Sequence, residues 1–195
     1  MLKSLLLAVA TAAIGLGAAS AQTIAVTNGR VITNTEAGII ESGTVLIRDG
    51  VIEAAGANVS IPAGVEVIDA QGGWITPGIF HPHTQLGLIE VSGEISTSDV
   101  AAPGASFTAS VDVADAFNPA GGHIPDSRRR GITRFAVFPS TGRGIIAGRG
   151  GLADSSGSPV SLFATRTFLY VDMSQSGASM AGGSRHAAWA YLRAA

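Results

Sequence analysis

The sequence has no cysteine, and charged residues make up only 13% of its 195 positions. Without thiols the chain can form no disulfide, and it lacks the acylated cysteine of a lipoprotein. Neither sign of charge dominates. The formal net charge is −2, which excludes the basic surplus expected of a nucleic-acid or anionic-membrane partner. No apolar run reaches the roughly 20 residues that a membrane-spanning helix needs. Long polar helical stretches are also scarce. What the chain has instead is 46% hydrophobic residues and 26 glycines. That is enough apolar material for a packed core and argues against wholesale disorder, with strands and turns early and loops later.

The first residues carry a lone Lys3, an apolar run from Leu5 to Leu16, and small residues closing on Ala19-Ser20-Ala21 before Gln22. This order matches a cleavable secretory signal peptide at 1–21, and a membrane anchor would need a longer run without the A-x-A ending. The expectation is a periplasmic or secreted product that is free of the membrane once cleaved. The Asn58-Val59-Ser60 sequon arises by chance as easily as by design.

From Ile24 to Asp69, short β-branched runs alternate with turn dipeptides. Asn28-Gly29 and Asp49-Gly50 each supply the two positive-φ residues of a type I′ turn, so the spacing predicts two hairpins, followed by a strand over 65–68. These form a small antiparallel β unit at 22–76. Gln71-Gly72-Gly73 breaks the pattern, and Trp74-Ile75-Thr76-Pro77-Gly78 leads into a new segment that begins a domain at 77–195. Residues 94–122 read as a long, loop-rich surface excursion, with a helical turn near Ala109 to Phe117. A short helix ending at Gly131, a buried strand over 133–138, a glycine-rich loop from Gly142 to Gly157, an apolar run over 160–171 and a Ser184-capped terminal helix complete the pattern.

His81 and His83 are spaced i, i+2. On a regular strand such residues share a face, and two neutral imidazoles could then hold one divalent metal, zinc being the natural candidate. The competing reading makes them polar residues at a strand end, bonded to backbone or water. His123 and His186 stand alone, and for each a solvated or packing role outweighs ligation. Gly142-x-Gly144-x-x-x-Gly148 lacks the helix start and acidic partner of a dinucleotide fingerprint. Arg128-Arg129-Arg130 reads as a solvated helix face. No G-x-S-x-G or other nucleophile grouping is present.

Taken together, Asn28-Gly29-Arg30-Val31-Ile32-Thr33 with Gly43 to Ile52, Val67 to Gly78, and Arg130-Gly131-Ile132-Thr133 resemble the N-terminal part of the metal-dependent amidohydrolase superfamily, particularly its imidazolonepropionase-like and dihydroorotase-like branches. The resemblance implies a β-sandwich (composite) domain followed by a TIM (β/α)8 barrel, with a D-x-H-x-H metal motif on the first barrel strand. Counted from Pro77-Gly78, His81 stands at the position of the motif's Asp, His83 at its first His, and Gln85 at its second; a shifted count makes His81 and His83 the two motif histidines. A closed barrel takes about 250 residues, more than follow Gly78, so the barrel is expected to be incomplete. The resemblance implies a hydrolase of carbon–nitrogen bonds in small amide or cyclic amide substrates, inactive as this fragment and without a stably bound metal. The alternative is a non-catalytic binding homologue that has lost its metal site, which Gln85 favours.

Overall fold

A computed structural model of the chain describes residues 23–106 and 108–195. The leader expected at 1–21 lies outside them. The chain divides into two compact units, one ending at Pro77 and the other spanning Gly78–Ala195.

The first unit is one five-stranded mixed sheet, with β1 (Thr23–Ile32), β2 (Ile39–Arg48), β3 (Val51–Gly56), β4 (Glu66–Asp69) and β5 (Trp74–Ile75). The neighbours run β3-β2-β1-β4, and β5 also pairs with β1. The expected antiparallel strand order needs correcting. Both β4 and β5 lie parallel to β1, and the described strands of this unit belong to a single sheet.

Asp49-Gly50 does turn β2 into β3, with φ of 53° and 75°. Asn28-Gly29 does not form a hairpin. Asn28 takes a left-handed φ of 53° inside β1, where two residues of β1 face one of β2 between the pairs Val26↔Val45 and Gly29↔Gly43. This is a bulge, and it uses the same Asn tolerance of positive φ that a turn would use. The bulge has a partner. Asn28 donates its side-chain amide to Asp69 at 3.0 Å, and its carbonyl accepts from Gly72 N–H at 2.7 Å. The β4–β5 turn thereby locks onto β1. The actual β1–β2 turn spans 33–38, closed by Thr33 N–H donating to Gly38 O.

The second unit holds a four-stranded sheet in the order β6 (Ile79–Thr84), β7 (Ile132–Val137), β8 (Ile146–Asp154), β9 (Leu162–Val171). β6 and β7 are parallel, and α1 (His123–Arg129) precedes β7. Gly78 permits this pairing, because a Cβ there would overlap Thr133 of β7. The core comprises Leu88, Val113, Ile124, Phe135, Val137 and Ala153. Val113, inside the stretch read as a surface excursion, is 2% exposed, so that stretch supplies core as well as loop. Its short 3-10 turns include Ile95–Thr97, Thr108–Ser110 and Val113–Asp115.

The largest departure is at the glycines. The expected loop from Gly142 is strand from Ile146 onward, and β8 runs antiparallel to both β7 and β9 rather than adding a further parallel barrel step. Close approach explains the glycines. A Cβ on Gly150 would run into the Phe168 ring, and one on Gly151 would lie 2.6 Å from Ala164 O. α2 (Gln175–Met180) and α3 (Arg185–Ala194) follow, and Ser184 caps α3 by accepting from Ala187 N–H at 3.2 Å. Among the described residues no helix is long and apolar enough to cross a membrane.

Candidate functional site

The C-terminal ends of β6 and β7 gather the polar and aromatic side chains around the motif. Among the described residues β6 pairs only with β7, which leaves its other edge unpaired there, and Pro82, which has no N–H to donate, is suited to such an edge. Between the pairs His81↔Phe135 and Thr84↔Val137, the residues Pro82 and His83 face Ala136 alone. The register shift interrupts the regular alternation on which a shared face for His81 and His83 depends.

Each motif position has its own partner. His81 accepts the backbone N–H of His83 on Nδ1 at 3.3 Å. The exposed imidazole of His83 lies 4.8 Å from the Phe138 ring and 5.4 Å from the Tyr170 ring, centroid to centroid. Gln85 donates its side-chain N–H to the hydroxyl of Ser140, just beyond β7. His123, which looked isolated in the sequence, opens α1 and lines a shallow cavity of about 260 Å³ with Thr84, Gln85, Leu86 and Ile89. His186 is exposed on α3. The basic run is only partly solvated, since Arg128 donates to the carbonyls of Ser155 and Ser156 at 2.6 and 3.1 Å.

Sequence reasoning missed Phe138, Phe168, Tyr170 and Ser140. The signal that could have found the aromatics is the i, i+2 spacing of Phe168 and Tyr170, which puts both on one face of β9.

The second unit thus opens with a strand–helix–parallel strand step bearing a histidine pair at its first strand. No family model matches the chain. An imidazolonepropionase from Mesorhizobium japonicum is 49% identical over 53 residues, covering 25% of this chain and 13% of that protein. A dihydroorotase from Geobacter sulfurreducens is 31% identical over 121 residues, covering 60% of this chain and 26% of that protein. An amidohydrolase from Thermotoga maritima shares the fold with a TM-score of 0.74 and 22% identity, over 88% of this chain and 46% of that one. The chain is thus similar to the opening part of proteins of the amidohydrolase superfamily, and it spans only a minor part of the length of the curated relatives it matches.

Members of that superfamily are generally metal-dependent. A zinc site draws on three or four protein ligands. Here the strand end offers two imidazoles, one already accepting a hydrogen bond at Nδ1, and an amide turned toward Ser140. Among the described residues no three His, Cys, Asp or Glu side chains form a metal-holding group. The donor set does not fit a complete site.

Proposed function

We propose that this chain is the exported, strand-and-helix-opening portion of an amidohydrolase-like hydrolase that acts on carbon–nitrogen bonds other than peptide bonds, in small amides or cyclic amides. The observation that carries this reading is the parallel β6–β7 step with His81, His83 and Gln85 at the end of its first strand. The names of the relatives point to the same bond class, because imidazolonepropionase and dihydroorotase are both among them.

In such a reaction the oxygen of water bonds to the carbonyl carbon, the carbon–nitrogen bond breaks, and the departing nitrogen takes a proton. A simple lactam gives one ring-opened amino acid, and a cyclic ureide gives the N-carbamoyl amino acid. His81 and His83 are the residues assigned to the site, as the imidazoles available to a metal in the complete protein. Gln85 and Ser140, already bonded to each other, are placed to orient a polar substrate group. The described residues carry no complete hydrolytic set, so the reading assigns no turnover to the 195-residue chain alone. A net charge of −2 supports a small-molecule substrate over a nucleic acid.

The test compares two preparations on dihydrouracil, hydantoin and dihydroorotate: the protein recovered from its native source and the recombinant 195-residue chain. Ring opening by the native preparation alone is expected. Absence of ring opening in both would remove the hydrolytic reading.

A further inference from the structure

We infer that Phe138 and Tyr170 are positioning residues for His83, so that the β8–β9 hairpin helps to build the strand-end site although β8 breaks the parallel run begun by β6 and β7. The inference rests on the hydrolytic reading for the importance of His83, but its geometry stands apart from that reading.

His83 follows Pro82 at a register shift on an open-edged strand, and its side chain is exposed. Backbone pairing alone would leave such an imidazole several rotamers. Two rings limit it. Phe138 extends from the end of β7 and Tyr170 from β9, at centroid separations of 4.8 and 5.4 Å with tilted planes. Both distances fall in the range where aromatic pairs attract.

The two rings are themselves held. Phe138 stacks on Phe168 at 4.1 Å and 25°, and meets Tyr170 edge-on at 5.5 Å and 66°. Phe168 in turn needs the bare backbone of Gly150, its pairing partner across the hairpin. A chain of contacts therefore runs from Gly150 through Phe168 and Phe138 to His83, with Tyr170 closing the second side. This packing accounts for the glycine at position 150.

NMR of the purified chain with labelled histidine tests the assignment, with His83→Gln identifying the resonance. The wild type should show cross-relaxation from the His83 ring protons to the rings of Phe138 and Tyr170. Tyr170→Phe should preserve the His83 ring shifts, whereas Tyr170→Leu and Phe138→Leu should move them toward those of a solvent-exposed imidazole and leave His186 unmoved. A merely structural role would lower the melting temperature without moving His83. Unchanged His83 shifts in a folded Tyr170→Leu variant would overturn the assignment. If that variant fails to fold, missing cross-relaxation in the wild type would overturn it equally. Loss of the hydrolytic reading would show in the ring-opening assay instead and would leave these signals in place.

Discussion

Arg166 donates its Nε–H to Oδ2 of Asp112 across 2.6 Å, and the two ends of the bond differ sharply in environment: the aspartate side chain is 3% exposed and the arginine 64%. Asp112 also accepts from Ala114 N–H at 3.0 Å, capping the turn Val113–Asp115 that brings Val113 into the core. Burial pushes the Asp112 carboxyl up, but the Ala114 N–H and the Arg166 guanidinium outweigh it and hold the group below its ordinary range.

Asp112→Ala should therefore destabilise the chain by about 1–2 kcal/mol at neutral pH, the cost of losing the cap on the part-buried Ala114 N–H together with the charge-assisted bond to Arg166. A lowered folded-state pKa means that the stabilisation is full above the unfolded value, near 3.9, and is lost as pH falls through the folded value. Urea denaturation of both proteins between pH 7 and pH 2 should show the gap closing only at the acid end. A gap independent of pH would contradict the ionic account.

Gly150→Ala places a methyl against the Phe168 ring and 2.5 Å from Val137 O. The expected cost is about 1–3 kcal/mol, as for other overpacked sites. A methyl on Gly104 would meet nothing within 4 Å, and its φ is not positive, so Gly104→Ala should be neutral or gain up to about 1 kcal/mol. Thermal melts of the two variants make the comparison, and equal effects would remove the close-approach explanation.

Asn28→Ala must hold a left-handed φ of 53° without the side-chain bond to Asp69. A loss of about 1–2 kcal/mol is expected, from the left-handed backbone penalty. Asn28→Gly relieves the backbone and should recover part of it. Denaturant midpoints measure both, and a harmless alanine would mean that the bulge is not strained.

Export is checked at the new N-terminus. Mass spectrometry of the periplasmic fraction should find a chain beginning at Gln22, and a cytoplasmic product retaining Met1 would contradict the leader at 1–21.

Local chemistry was the legible part of the fold. Asp49-Gly50, Ser184 and the stop at Gly131 each act through bonds within a few residues, and each does in the structure what its sequence context implies. Asn28-Gly29 misled because a positive φ serves a bulge as well as a turn, and only the partner at Gly72 and Asp69 decides between them. The glycines of β8 misled because a glycine that admits a neighbour's ring looks, in sequence, like one that loosens a loop. At the site, the histidine spacing was visible, and the i, i+2 spacing of Phe168 and Tyr170 marks a shared strand face, but the register shift at Pro82-His83 and the meeting of Phe138 and Tyr170 with His83 depend on pairing across 50 residues or more.

The central claim is that His81, His83 and Gln85 are engaged by separate partners within this chain rather than gathered on one metal. Elemental analysis of the purified chain after incubation with excess zinc and exhaustive dialysis tests it directly. The account predicts far less than one equivalent of zinc per chain, unchanged in His83→Ala. A full equivalent, retained through dialysis and lost in His83→Ala, would contradict it.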